Sequence, residues 1–207
     1  MIHVHPHPHY QEALENNIIK SKPIQIKCQP RSKYRPRTPN ESKVSAHYLR
    51  CKDGAELDYP AIYIPQIWAN QLKINIIEVA LADSAKQPHP YTIDNKTSNK
   101  SFNDQVLIFK MTQPNILYFR LTKEDFITGY KTFMIEFIKS KEDDFITKKL
   151  IRSRQLDQSM LRFTRIYQDE YGNCQRDDNS EEYSCIMTEN YGNVAVEHMG
   201  PRYGPIV

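Results

Sequence analysis

Apolar and polar residues alternate over short distances along much of the chain, a pattern that predicts half-buried β-strands. In one run the apolar set begins at Ile74 and Ile76 and then shifts phase to Ile77, Val79 and Leu81. Such a shift indicates either a β-bulge or a change of the buried face. The strand-like runs are YPAIYIP (59–65), LKINIIEVAL (72–81), QVLIFK (105–110), ILYFRL (116–121) and LRFTRIY (161–167).

Turn-forming sequences separate these runs, among them KDG at 52–54, PHP at 88–90, DNKTSN at 94–99 and EYGN at 170–173. Short strands joined by turns favour an all-β sandwich over a parallel sheet. One segment departs from this pattern. KSKEDDFITKKLIRSRQLD, from Lys139 onwards, has acids at its start and bases at its end, and Ile146 and Leu150 are at helical spacing. It predicts one short helical insertion packed across the sandwich.

Composition is consistent with a globular protein: the 207 residues are 39% hydrophobic and 11% aromatic, with 13 prolines but only 6 glycines. No apolar run approaches the ~20 residues of a membrane helix, and no apolar export signal is visible. The four cysteines form no CxxC pair, so free thiols in a reducing compartment are expected, with disulfides as the alternative. The sequence predicts an intracellular, soluble protein with no membrane partner.

Charge is distributed unevenly. Residues 20–52 contain ten lysines and arginines and a single acid, a balance of +9, whereas residues 168–207 contain eight acids and two arginines, a balance of −6. A concentrated basic segment indicates that one face meets a polyanion, and a solvated charged surface is the alternative.

No sequence pattern indicates catalysis. GxxxxGK[ST], GxGxxG and HExxH are absent, and no cysteine has a neighbouring base that would activate it. Asp143 and Asp144 are adjacent and suit the start of a helix better than a pair of opposed catalytic groups. His3, His5, His7 and His9 alternate within a proline-rich arm, which predicts an extended tail, with adventitious metal binding as the alternative. We expect no enzyme activity, no cofactor and no metal site.

The basic stretch QPRSKYRPRTPNES (29–42) has three prolines, which disfavour a helix, and too much charge for a core strand, and therefore predicts a stiff loop. Arginine matches the N7 and O6 acceptors of guanine, and a carboxylate accepts from N4 of cytosine. Arg35, Arg37 and Glu41 are thus candidates for reading DNA bases, and the i, i+2 spacing puts both arginines on one side of an extended segment. Lys33, Tyr34 and Lys43 would contact backbone phosphates.

This stretch, with its Gln-Pro, basic spacer and R-x-R-x-x-x-E order, resembles the recognition loop of the Rel homology region, found in the Rel, Dorsal and nuclear-factor-kappa-B transcription factors. Further segments resemble the family in the same order over roughly residues 24–207. They are YPAIYIP (59–65), Pro88-His89-Pro90 with Asn95-Lys96, DFITGYKTF (125–133), RQLDQSMLRFTRIYQDEYG (154–172) and NVAVEHMGPRYGPIV (193–207).

The resemblance implies an immunoglobulin-like β-sandwich that binds DNA. The implied organisation is a flexible His/Pro-rich arm over residues 1–22, a Rel-type DNA-binding domain over 23–188, and a linker with the first strand of a truncated second immunoglobulin-like domain over 189–207. It implies double-stranded DNA as partner, with Lys131 as a further contact to backbone phosphates. It also implies a Rel-family dimer partner held through the second domain, an inhibitor protein, and regulated transcription in immunity or development. The implied localisation is the cytoplasm and the nucleus.

The sequence departs from the family at four positions in ways that bear on affinity. Pro36 replaces an aromatic residue, Thr38 a tyrosine and Asn40 a redox-sensitive cysteine, and Lys131 is the one lysine left of a basic cluster. These changes leave a second hypothesis open, a β-sandwich protein-interaction module or truncated regulator of a Rel-type pathway with no productive DNA binding of its own.

Overall fold

A computed structural model describes residues 22–71, 74–96, 106–108, 112–139, 153–169 and 171–190. The histidine-rich arm, most of the predicted helix after Lys139, and most of the predicted second-domain strand lie outside these ranges. Within them, no helix is both long and apolar enough to cross a membrane.

Twelve strands and three short helices make up the described part of the chain. The strands are β1 (Ile26–Cys28), β2 (Lys33–Tyr34), β3 (Ala61–Tyr63), β4 (Asn75–Asp83), β5 (Thr92–Asp94), β6 (Val106–Ile108), β7 (Ile116–Arg120), β8 (Tyr130–Thr132), β9 (Glu136–Ile138), β10 (Gln158–Gln168), β11 (Cys174–Tyr183) and β12 (Met187–Glu189). The helices are α1 (Pro39–Val44), α2 (Ile67–Gln71) and α3 (Lys123–Thr128). The all-β prediction is confirmed, although these three helices occur where none was expected.

The strands form three sheets. The largest has the order β2-β12-β10-β4-β7-β6, and β11 pairs with β10 beside this path. A second sheet has the order β1-β3-β8, and β5 pairs with β9 in a third. Most neighbours are antiparallel, while β12 and β2 are parallel. All five strand-like runs identified from the sequence contain a strand of these sheets.

Strand β4 explains the phase shift seen in the sequence. Its pairing with β10 runs from Asn75 to Asp83 without a break, so the strand contains no bulge in this range. Ile77, Val79 and Leu81 are completely buried and face the core. The intervening positions are buried as well, because β4 lies at the centre of its sheet and is covered on both faces. The alternation therefore identifies the face of β4 that points into the core, but it does not show that the other face is exposed to solvent.

One hydrophobic core unites the sheets. Phe133 packs edge-on against Phe119, with ring centroids 5.0 Å apart, and tilted against Phe163 at 5.2 Å. All three rings are almost fully buried, and isoleucines of β3, β4 and β5 surround them. Since each side chain of this size stabilises the fold by about 1.5–3 kcal/mol when buried, this cluster fixes how the sheets face each other.

The cysteines differ from expectation. Cys28 at the end of β1 and Cys51 are joined in a disulfide, with Cα atoms 6.2 Å apart, whereas Cys174 and Cys185 are free and exposed. The prediction of four free thiols is wrong for the first pair. The reason is tertiary: an antiparallel bridge between Pro30 and Cys51 brings two segments together that are 23 residues apart in sequence.

Candidate nucleic-acid interface

The basic stretch is not the irregular loop that its composition predicted. Lys33 and Tyr34 form β2, and helix α1 begins at Pro39. Proline is accepted there because the first helical residue has no partner for its N–H, and its fixed φ suits the helix. Thr38 is the N-cap: its Oγ1 accepts from the Glu41 N–H at 3.3 Å, and a Glu41 oxygen accepts from the Thr38 N–H at 2.9 Å. This capping box starts the helix despite the prolines.

Arg35, Arg37 and Glu41 come together, and we call these three residues the reading cluster. Nη2 of Arg35 lies 2.5 Å from Oε1 of Glu41, and Nη1 of Arg37 lies 3.8 Å from the same oxygen. The i, i+2 spacing of the arginines does put both guanidinium groups on one side of the chain. They differ in access, since the Arg35 side chain is 55% exposed and that of Arg37 only 19%.

Glu41 is held as a carboxylate. The hydrogen bond from the Thr38 N–H lowers the pKa of Glu41, and the charge of Arg35 lowers it further, against a smaller opposing effect of desolvation. One oxygen serves Arg35 and the other serves the helix cap, so the side chain has a fixed orientation. Each oxygen retains a lone pair that can accept another hydrogen bond.

The segment that carries the cluster is attached to strand β9 at two points. Arg37 donates its backbone N–H to Phe137 O at 2.8 Å and accepts from the Lys139 N–H at 2.8 Å. The Tyr34 ring packs edge-on against Phe137 with centroids 4.8 Å apart. The backbone hydrogen bonds and the ring contact both place the reading cluster beside strand β9, at one edge of the sandwich.

A buried carboxylate fixes helix α1 from below. Glu136 of β9 is fully buried and accepts hydrogen bonds from Ser42 Oγ at 2.9 Å and from the His47 N–H at 3.1 Å. Lys96 Nζ lies 3.1 Å from the same carboxylate and also donates to Ser42 O at 2.7 Å. The network links α1, β9 and the turn after β5. Sequence reasoning missed Glu136, because a single acid in a strand carries no signal of its partners.

Two of the expected phosphate contacts are turned inward. Tyr34 is 8% exposed, part of the hydrophobic core, and its hydroxyl accepts from Ser159 Oγ at 3.2 Å. Lys131 is also 8% exposed, and its Nζ pairs at 2.9 Å with Asp125, the acid that caps helix α3. The structure does not support phosphate contacts by these two side chains, because alternation along β2 and β8 points them into the body. Lys33 and Lys43 are exposed, as that role requires.

Beside the reading cluster lies a cavity of about 400 Å³, which we call the basic pocket. Its wall includes Tyr34 and Phe137, which belong to the core. Its cationic lining residues are Arg31, Lys33, Arg35, Arg37 and Arg50, with His47 near them. Arg31 and Arg50 were not singled out in the sequence, where each is one of many basic residues.

Comparison with known proteins supports the fold. No protein-family model matches the chain, and no curated protein matches it in sequence. Among solved structures, the chain is similar to the Dorsal homologue Gambif1 bound to DNA, with a TM-score of 0.52 and 17% sequence identity. The match covers 80% of this chain and 98% of the other. The fold is an all-β, immunoglobulin-like β-sandwich. At this identity the likeness shows the fold alone.

Proposed function

We propose that this domain binds double-stranded DNA and reads a G-rich half-site in the major groove through Arg35, Arg37 and Glu41. The observation that carries the proposal is the convergence of two guanidinium groups and one carboxylate at one exposed edge of the sandwich. These are the donors and the acceptor that distinguish a G·C pair from the other base pairs.

The rigidity of the segment supports this role. The capping box, the attachment of Arg37 to β9 and the Glu136 network fix the cluster before any ligand arrives. Because little side-chain and backbone freedom is then lost on binding, more of the contact energy remains as affinity. Lys33 and Lys43 flank the cluster and would supply sequence-independent attraction to phosphates.

The finer proposal is that the domain belongs to a Rel-type transcription factor that regulates immune or developmental genes and moves between cytoplasm and nucleus. Its dimer partner would be a Rel-family chain, and an inhibitor protein would control its localisation. The support is the order of Rel-like sequence segments together with a fold similar to that of a Dorsal homologue solved with DNA.

The deciding experiment is a binding titration at moderate, fixed salt with a G-rich duplex and a scrambled duplex of equal length. We expect the G-rich duplex to bind at least tenfold more tightly, and Arg35→Ala to remove most of that preference. Equal affinity of the intact domain for both duplexes would contradict base reading.

The second candidate function is a protein-interaction module whose basic face meets an acidic partner. The observation in its favour is the inward orientation of Tyr34 and Lys131, which leaves fewer groups for DNA than the sequence predicted. The same titration separates the two, since a module of this kind would bind both duplexes weakly and without preference.

A further inference from the structure

The two arginines of the basic pocket that lie outside the reading cluster are opposite each other on two segments joined by an isolated antiparallel β-bridge. The bridge pairs Pro30 with Cys51, so the next residues along, Arg31 and Arg50, stand opposite each other. The backbone confirms this register, since the Arg31 N–H donates to Arg50 O at 3.0 Å. Like charges opposite each other repel, so anionic groups near both guanidinium groups, the carboxylates of Asp53 and Asp58 among them, stabilise this arrangement.

A backbone contact and a ring contact help to position the two guanidinium groups. Arg31 Nε donates to Cys51 O at 3.2 Å, and the Arg50 guanidinium stacks on the Tyr59 ring at 4.7 Å from its centroid. The two side chains remain 50% and 47% exposed, respectively. Positioned but exposed guanidinium groups match the fork geometry with which arginine binds phosphate.

The acids near these arginines leave room for a ligand. Asp53 lies 2.7 Å from Arg31, and Asp58 lies 3.3 Å from Arg50. The two carboxylates are 87% and 81% exposed, so each pair is a surface ion pair of small net strength. Each guanidinium has five N–H donors, of which these contacts use a minority.

We propose that Arg31 and Arg50 form a phosphate-binding site, which holds a backbone phosphate of the DNA next to the bases read by Arg35 and Glu41. This inference rests on the proposed function for the source of the phosphate. It adds two residues that read no base and act by position and charge. The site lies in the same cavity as the reading cluster, so a bound duplex would extend continuously from one to the other.

The test uses the double variant Arg31→Ala/Arg50→Ala, with Arg120→Ala as the matched control. Arg120 is exposed and lies opposite Ile76 at one end of β4. The basic pocket is joined to the sheet through β2, which pairs with β12, and β12 pairs with β10 near Ser159. Ser159 lies opposite Asp83, at the other end of β4. Binding to the G-rich and scrambled duplexes is measured at several salt concentrations. In a second arm, inorganic tripolyphosphate is titrated without DNA by calorimetry. Thermal unfolding confirms that each variant is folded.

The double variant should lower the affinity for both duplexes by a similar factor, on the order of tenfold, so that the preference for the G-rich duplex is retained. The slope of log K against log salt concentration should fall in magnitude by about 1–2. The double variant should also weaken tripolyphosphate binding, while Arg120→Ala changes neither. Unchanged duplex affinity and salt slope would overturn the DNA placement, even with tripolyphosphate binding lost. Retained tripolyphosphate binding together with unchanged duplex binding would overturn the site altogether.

The outcomes separate this inference from the proposed function. If Arg35→Ala abolishes the preference for G-rich DNA while the double variant behaves as the control, base reading stands and the phosphate site falls. If the intact domain shows no preference but the double variant loses both tripolyphosphate and duplex affinity, the phosphate site stands and base reading falls.

Discussion

Nη2 of Arg35 donates to Oε1 of Glu41 at 2.5 Å, and both side chains are accessible to solvent. The pair therefore orients the most exposed guanidinium of the reading cluster in the absence of a ligand. Guanine would add acceptors for the remaining Arg35 donors, and cytosine N4 would add a donor for the carboxylate. Because the contact is a surface ion pair, rearranging it on binding costs little.

Arg35 and Arg37 should contribute differently to DNA recognition. Arg35→Ala should cost about 1–3 kcal/mol of discrimination at one base pair. Arg35→Lys keeps the charge but lacks the bidentate fork, so it should retain affinity for scrambled DNA and still lose discrimination. Arg37→Ala, at a side chain mostly covered by the body, should also lower the unfolding midpoint. Competition titrations with G-rich duplexes that differ at one base pair measure this discrimination. Full discrimination by Arg35→Lys would contradict bidentate reading.

Thr38 should control both helix α1 and the reading cluster. Thr38→Ala removes the acceptor for the Glu41 N–H and should lower the free energy of unfolding by about 0.5–2 kcal/mol. It should also reduce discrimination, because loss of this cap loosens the first turn of α1, which carries Glu41. Thr38→Ser retains the hydroxyl and serves as the control. Urea unfolding and duplex titration report the two effects, and equal behaviour of the alanine and serine variants would argue against the cap.

Glu136 should be a major stabilising residue of the sandwich edge. Glu136→Ala leaves the His47 N–H and the Ser42 hydroxyl without their acceptor and Lys96 without its counter-ion, so we expect a loss of about 3–5 kcal/mol. Ser42→Ala removes one donor and should cost less, about 1 kcal/mol. Chemical denaturation measures both. Comparable, small losses for the two variants would show that the carboxylate is not the centre of this network.

Lys43 and Lys131 should behave oppositely. Lys43 is exposed beside the reading cluster. Lys43→Ala should therefore lower the affinity for the G-rich and the scrambled duplex equally, and should lower the slope of log K against log salt concentration by about 1 in magnitude. Lys131 is buried against Asp125, so Lys131→Ala should reduce stability and leave the salt slope unchanged. The pair is a charge-matched comparison. A reduced slope for Lys131→Ala would restore it to the DNA interface.

Stability should fall in mild acid because of His89. This ring is buried, its Nδ1 accepts from the Tyr91 N–H at 3.1 Å, and its Nε2 lies 3.0 Å from Leu156 O, so the folded protein holds it neutral. Burial lowers the pKa of His89, while the Leu156 carbonyl and Asp83 oppose the shift and Arg154 adds to it.

Because the folded pKa lies below that of the unfolded chain, the unfolded state binds the extra proton first. The contribution is present above the unfolded pKa of about 6.5 and is lost as the pH falls below it. Urea midpoints between pH 7.5 and 5 measure this. His89→Asn, which keeps an acceptor near Tyr91, should be less stable at pH 7.5 but show a flatter pH dependence over this range. An equally steep dependence in the variant would assign the effect to other groups.

Local sequence determined the positions of the strands and the residues that we propose read DNA. Alternation located β4, β7 and β10 because side chains on a strand face opposite sides with a period of two, and this period is written in the chain. The i, i+2 spacing of Arg35 and Arg37 likewise fixed their common side. The three prolines of the basic stretch predict no helix there, but α1 begins at Pro39, and the first turn is where a helix favours proline.

Only the tertiary structure decided which basic residues are available to a ligand. Tyr34 and Lys131 are residue types that can contact phosphates. The pairing of β2 with β12 turns Tyr34 towards the core, and the pairing of β8 with β3 turns Lys131 towards Asp125. Arg31 and Arg50 became neighbours through a strand pairing that spans about twenty residues of sequence. Charge and period are local properties of a chain, whereas burial and the meeting of distant residues depend on how the sheets pair and pack, and no short sequence pattern encodes that.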